Sequence, residues 1–379
     1  APAPSPGCPV CSLRWQTDST SGHFSGWKFP EHSVLLDSDD TKVIITAGIF
    51  HKGAGTVSAK SGELSIKGGT FDQDVNAYCA KGYSTVNNGD NTWTVMPLQS
   101  QEIVAGWNWY SSYLAIEGTT GLEKLQTALT NGGTIKAQNG DKRYYELNDW
   151  RGNLASYDMT KMYMINVSID QTLDINAPLA DAADYIVELV PNWNWIGYPS
   201  NNADVDINVA LQDLTPEAGD RIKTQNNGFA EFAFGKWMGG LKKLVPGQGY
   251  MYNNKSGETK KFVYNVETVR GTVEANVTAE NNYWAPNSRL YPYNMTVTAI
   301  LDEIGDNYEI AAFVNGEVRG SARPIYIEEV DAYMFFLTIH GENVEEMTFK
   351  GYNLTTGEEF ELSNVMNYSN DAIVGSINE

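Results

Sequence analysis

GWNWYSSYL, residues 106–114, and NWNWIGYPS, residues 192–200, spell tryptophan, asparagine, tryptophan twice in one chain. Trp107 and Trp109 align with Trp193 and Trp195 at an offset of 86 (193 − 107), and the match then continues at an offset of 87 (222 − 135). Ile135, Lys136, Gln138 and Asn139 answer to Ile222, Lys223, Gln225 and Asn226. Trp150, Gly152 and Leu154 answer to Trp237, Gly239 and Leu241, and Tyr163, Met164 and Asn166 to Tyr250, Met251 and Asn253. Identities held at a constant offset mark an internal duplication, so two modules of one plan are expected, over residues 98–183 and 184–267.

Within a module the patterning changes period. IVAGWNWYSSYL and IVELVPNWNWIGYP read as strands. LEKLQTAL puts Leu122, Leu125 and Leu129 on one helical face, and DINVALQDL does the same with Ile207, Leu211 and Leu214. Strands follow through TIKAQ or RIKTQ, into the Trp-x-Gly-x-Leu block, and at KMYMIN or GYMYNN, the last after a Pro246-Gly247-Gln248-Gly249 turn. Each module is therefore expected to be small, α+β and mostly antiparallel.

On the N-terminal side, residues 1–97 contain KVIITAGIF and GELSIKGGTF, whose Gly48 and Gly69, and Phe50 and Phe71, lie 21 residues apart (69 − 48). That is about one coil of a β-solenoid. Asn88-Gly89-Asp90 then turns between two β-rich runs. On the C-terminal side, residues 268–379 alternate in short runs such as NMTVTAIL, YEIAAFV, EVRGSA and AYMFFLTI, with hairpin signals at Asn315-Gly316 and Thr356-Gly357. An immunoglobulin-like β-sandwich is expected there, without the Cys, Trp, Cys pattern of true immunoglobulin domains. The whole reads as mainly β.

Composition narrows the function classes. The net charge of −21, with 5 basic against 18 acidic side chains from Arg270 onward, argues against nucleic acid, which needs clustered Lys and Arg. No run of apolar residues is long enough to span a bilayer as a helix. APAPSPG at the start reads as a linker or processed end, and the closing SINE suggests an excerpt of a longer polypeptide.

The aromatic repeats carry two readings. Residues two apart in a strand share a face, so Trp107 with Trp109 and Trp193 with Trp195 present paired indoles. Exposed, Trp109, Trp195, Trp150 and Trp237 form a ligand platform for sugar rings or a partner's side chains. Buried, they fill the module's interior, which the recurrence of the whole set favours. Enzyme motifs are missing: there is no G-x-S-x-G, H-E-x-x-H or P-loop, and His23, His32, His51 and His340 sit in unrelated contexts. A non-catalytic protein is expected, with a two-carboxylate glycoside hydrolase as the enzymatic alternative. Asp302 with Asp306, near Glu303, is a candidate Ca2+ site, as are Asp37 to Asp40 and Asn88 to Asp90, though turn-capping acids explain all three; no other cofactor is expected. Cys8 and Cys11 allow a small disulfide loop, a redox pair, or half of a zinc site with His23 and His32.

The Trp-Asn-Trp strand, the Ile-Lys-x-Gln stretch, the Trp-x-Gly-x-Leu block and the Pro-Gly-Gln-Gly-Tyr turn resemble tandem repeats in large secreted and cell-surface proteins of Bacteroidota. The GGTF rung followed by DVNAYCAKGY is similar to the terminal coils of bacterial surface solenoids, and the domain with AAFVNGEVRG looks like sandwich modules attached to them. The resemblance implies an extracellular, modular protein that adheres to a protein or glycan on a cell or matrix surface, or forms part of a surface structure. Carbohydrate recognition, and self-association into a filament or appendage, are the alternatives it leaves open.

Overall fold

The 21-residue spacing of the N-terminal region is a strand register. The computed structural model describes residues 22–24, 28–29, 35–36, 42–47, 49–50, 58–59, 63–226, 228–267, 275–301 and 305–378. Gly22–Phe24, Lys42–Ile45 and Glu63–Ile66 pair in parallel, Gly22 beside Val43 and Val43 beside Leu64. Lys28–Phe29, Ile49–Phe50 and Gly69–Phe71 do the same, aligning Phe29, Phe50 and Phe71, and Leu35–Leu36 with Ser58–Ala59 is a third parallel pair. Each step in the first two stacks advances 21 residues (43 − 22), so positions 21 apart are strand partners in register. Ile45, Ile66, Phe71, Val75 and Val95 form the buried cluster of this region. The antiparallel run Trp93–Ile103 closes the second stack by pairing Trp93 with Phe71, and also receives Tyr83–Asn87.

The described residues fall into two units, 1–100 with 174–178, and 101–173 with 179–379. Both repeats and the C-terminal sandwich thus share the second unit. Its sheets are antiparallel apart from one edge pair in the sandwich, and the molecule is mainly β.

The two repeats have one strand order. In the first, Gly106–Tyr110, Tyr163–Val167, Thr134–Lys136, Lys142–Glu146 and Asp149–Gly152 lie side by side in that order; in the second, Asn192–Ile196, Tyr250–Asn254, Arg221–Lys223, Phe229–Ala233 and Lys236–Gly239 do. The expected first helix is Gly118–Ala128, burying Leu122 and Leu125, with Leu129 buried just beyond it. The second is shorter than its apolar spacing suggests. It covers only Ile207–Ala210, capped by Asp206, whose carboxylate accepts from the Asn208 N–H at 2.8 Å. Leu211 and Leu214 are buried in the turns that follow, and Pro216 disfavours helix at Thr215. The long strands read around each Trp pair are also interrupted, before Gly106 and before Asn192.

Two Tyr residues recur in one role: the Tyr163 hydroxyl accepts from the Asp158 N–H at 2.8 Å, and the Tyr250 hydroxyl from the Val245 N–H at 2.5 Å. The glycine of each Trp-x-Gly-x-Leu block has a backbone reason. Gly152 and Gly239 have φ of +120° and +134°, and a Cβ there would lie 2.1 Å from the Lys142 carbonyl and 2.5 Å from that of Phe229. Only glycine fits both the conformation and the approach.

Two four-stranded sheets pack face to face in the C-terminal domain. One holds Pro324–Ile327, Ala332–Gly341, Tyr293–Ile300 and Ile373–Val374; the other Glu317–Ala322, Tyr308–Val314, Glu346–Asn353 and Glu359–Asn367. Met295, Val297, Phe335, Leu337 and Ile339 from the first meet Ile310, Ala312, Val314, Met347 and Phe349 from the second. Asn315 and Gly316 both take positive φ, 50° and 81°, as a tight two-residue hairpin requires.

Candidate functional site

The asparagine between each pair of tryptophans closes a turn. Asn108 donates its amide to the Val104 carbonyl at 2.8 Å and accepts from the Val104 N–H at 3.2 Å; Asn194 does the same with Val190 at 2.7 and 2.9 Å. A side chain that donates and accepts at once is needed, which an aspartate or a leucine is not. The turn brings Gly106 to φ +98° and Asn192, at the same repeat position, to +73°. Glycine and asparagine are the residues that tolerate this region best.

The flanking indoles meet across the junction between the repeats. Trp109, Met162 and Met164 of the first form one cluster with Trp195 and Met251 of the second, and Trp107, Trp193 and Tyr293 pack against it. Trp109 and Trp195 are 3% and 5% exposed. Each copy of the recurring glutamine reaches into the other copy's Trp strand. Gln225 accepts from the Trp109 N–H at 3.1 Å and donates to the Trp107 carbonyl at 2.7 Å, while Gln138 accepts from the Trp195 N–H and donates to the Trp193 carbonyl, both at 2.7 Å. A second reciprocal pair joins the Ser111 N–H to the Gly247 carbonyl at 3.0 Å and the Gly197 N–H to the Thr160 carbonyl at 2.9 Å. The two modules are therefore docked by a pseudo-twofold exchange of equivalent bonds. Two indole N–H groups reach the sandwich domain: Trp109 donates to the Pro292 carbonyl at 3.0 Å and Trp193 to that of Asp371 at 2.7 Å.

The second repeat carries the sandwich on the outer face of its sheet. Phe229, Ala233 and Met238 pack with Ile327, Met334, Phe336 and Ile377. Arg221 forms a fully buried ion pair with Glu231 and also donates to the Thr296 hydroxyl at 2.9 Å and the Gly375 carbonyl at 2.7 Å. Glu231 in turn accepts from the Ser376 hydroxyl at 2.6 Å. Lys223 donates to the Asn294 carbonyl and to Asp371, both at 2.7 Å; its burial pushes the ammonium pKa down, against the pull of Asp371.

The first repeat differs at these outward positions. Thr134, Lys142, Tyr144, Glu146 and Arg151 stand where the second has Arg221, Phe229, Glu231, Ala233 and Met238. A Phe and a Met become cations, so the face is polar, and Lys142, Glu146 and Arg151 are exposed. On the opposite side of the same hairpin Trp150 lies edge-on to Tyr145, ring centroids 5.5 Å apart, as Trp237 does to Phe232 at 5.4 Å. Trp237 has a third ring, Tyr252 at 5.7 Å, and is 6% exposed; Ile165 occupies that place in the first repeat, where Trp150 is half-buried and Tyr145 is 41% exposed. Of the four candidate ligand-binding indoles, Trp109, Trp195 and Trp237 are interior. Trp150 alone of them sits on an open hairpin.

The other candidates separate. Asp302 and Glu303 lie outside the described residues, as do Asp37 to Asp40, Cys8 and Cys11; Asp306 is exposed. Asp90 accepts from the Thr92 N–H at 3.0 Å and the Thr92 hydroxyl at 2.5 Å, the pattern of a capped turn. Among the described residues no three His, Cys, Asp or Glu side chains gather as a metal would require. Cys79 has a free thiol whose pKa is pushed up to about 11 by burial and by Asp74. No described helix is long and apolar enough to cross a membrane.

No protein-family model and no curated protein matches the chain.

Proposed function

We propose that this is a non-catalytic, modular protein of a bacterial cell surface or extracellular matrix, in which interlocked modules present one free hairpin to a protein or glycan partner. The parallel 21-residue stacks are read as coils of a β-solenoid and the two-sheet domain as immunoglobulin-like, in line with the resemblance to secreted Bacteroidota proteins. The observation that carries this reading is the asymmetry between the repeats. Their shared motifs are committed to docking one repeat on the other and the second on the sandwich, while Lys142–Glu146 and Asp149–Gly152 keep the same backbone with a polar, uncovered face and a part-exposed Trp150. An exposed Tyr145 and a half-buried Trp150 on one side of the hairpin, with exposed Lys142 and Arg151 on the other, give one element both apolar area and hydrogen-bonding groups for contact.

The test is adhesion of labelled protein to extracellular-matrix proteins, to bacterial and host cells, and to a glycan array. Binding that is abolished by Tyr145→Ser with Trp150→Ala, in a variant that still unfolds in one cooperative urea transition, is the expected result. Undiminished binding by that folded variant, or turnover of a polysaccharide by the wild-type chain, defeats the reading. A glycan as the sole target supports the carbohydrate-binding form of it.

A further inference from the structure

Strand alternation sends Phe335, Leu337 and Ile339 into the sandwich core and Phe336, Thr338 and His340 the other way. That second set lines a cavity of about 260 Å³ at the side of the sandwich facing the second repeat, walled also by residues 277–279 and 286–289. We propose that this cavity binds one small polyhydroxylated carboxylate, of the size of a single acidic sugar ring.

Two buried polar atoms point to a ligand. Among the described residues Thr338 Oγ1 and His340 Nδ1 have no hydrogen-bond partner, although the two residues are only 8% and 3% exposed. Leaving such atoms unpaired is destabilising, a penalty that a bound hydroxyl removes. Charge selects the acid. Arg289 and Arg323 line the cavity. Arg323 is partly balanced by Glu309 at 3.5 Å, and Arg319 and Lys223, which lie farther back, by Glu345 at 3.3 Å and Asp371 at 2.7 Å. The balance at the imidazole stays positive: burial, then Lys223, Arg289 and Arg319, push the His340 pKa down to about 3. The ring is therefore a neutral hydrogen-bonding group in a positive field, beside an apolar wall of Phe336, Ile325 and Val277 that suits the C–H face of a sugar. Neither the Tyr145 nor the Trp150 ring belongs to the lining, so the site is independent of the proposed adhesive hairpin.

The probe is sodium D-glucuronate, with D-glucose as the neutral control. Calorimetry is expected to show saturable glucuronate binding and none of glucose, and histidine NMR spectra of the wild-type protein to show the His340 ring signals moving along the same isotherm. Thr338→Val, which keeps the shape and removes the hydroxyl, is expected to weaken binding by roughly fivefold, the loss of one hydrogen bond. Unmoved His340 signals at saturating glucuronate mean a cavity filled by water only, and overturn the proposal whether or not the valine variant folds. So do an equal response to glucose, and an unchanged affinity in a folded Thr338→Val protein.

Discussion

Gln225 and Gln138 each receive the N–H of the other repeat's second tryptophan, at 3.1 Å from Trp109 and 2.7 Å from Trp195. The exchange is symmetric in bonds but not in burial: Gln225 is 3% exposed and also accepts from Arg289 at 3.0 Å, whereas Gln138 is exposed. Removing a partner inside the protein orphans the groups it satisfied; at the surface, water replaces it. Gln225→Ala is therefore expected to cost about 2–3 kcal/mol and Gln138→Ala about 1 kcal/mol or less in urea unfolding. Equal losses would show that the junction is not organised as described.

The Arg221 and Glu231 pair is buried on both sides in the second repeat, and its acid also holds Ser376 and the Ile377 N–H. Glu231→Gln keeps the shape and those acceptor contacts but leaves the guanidinium uncompensated. The expected cost is about 3 kcal/mol, the range for breaking a buried pair from one side. Protease cleavage near the C-terminus should accelerate in the same variant, since the Arg221 guanidinium that holds the Gly375 carbonyl loses its own partner.

Gly152→Ala and Gly239→Ala test backbone, not packing. Each demands a positive φ and puts a methyl within 2.5 Å of a carbonyl oxygen. Both are expected to lower stability by more than about 2 kcal/mol. A neutral thermal-unfolding result for either would mean that its hairpin rearranges freely.

Much of the second unit was legible because duplication doubles the signal. The strands of each repeat, the first helix and the Asn315-Gly316 hairpin follow from periodicity and turn chemistry, while the order of the strands in the sheet does not. So does the 21-residue step in the first unit. The role of Gln138 and Gln225 was not legible: their recurrence is visible, but a glutamine at the end of a short strand carries no mark of reaching 116 residues away. Which repeat would be covered was encoded in the differences at offset 87, Lys142 against Phe229 and Arg151 against Met238, while identities alone reveal the shared plan. The cavity beside His340 joins residues more than 200 positions apart and leaves no local pattern at all.

Trp150 and Trp237 hold one position in two environments, and their alanine variants should part company. Trp237→Ala empties a core site packed by Phe232 and Tyr252 and is expected to cost about 3–5 kcal/mol. Trp150→Ala removes a half-buried ring with one aromatic neighbour, and about 1 kcal/mol is expected. Acrylamide quenching supplies the second readout. The Trp150 contribution should be quenched readily and those of Trp109, Trp195 and Trp237 poorly, a contrast that uniform quenching would refute.

His340 makes stability depend on pH with a definite sign. Its folded pKa lies near 3 and its ordinary value near 6.5, because burial and the cations Lys223, Arg289 and Arg319 oppose the imidazolium. Between those limits the unfolded chain binds a proton that the folded chain refuses. Stability is therefore full above about pH 6.5 and falls as the pH drops toward 3, with a slope from this group approaching about 1.4 kcal/mol per pH unit. Many carboxylates titrate in the same range, so the decisive quantity is the difference between wild type and His340→Gln. Urea unfolding from pH 7 to pH 4.5 should show the wild type losing stability more steeply than the variant; parallel curves would place the imidazole in contact with water or with an acid instead.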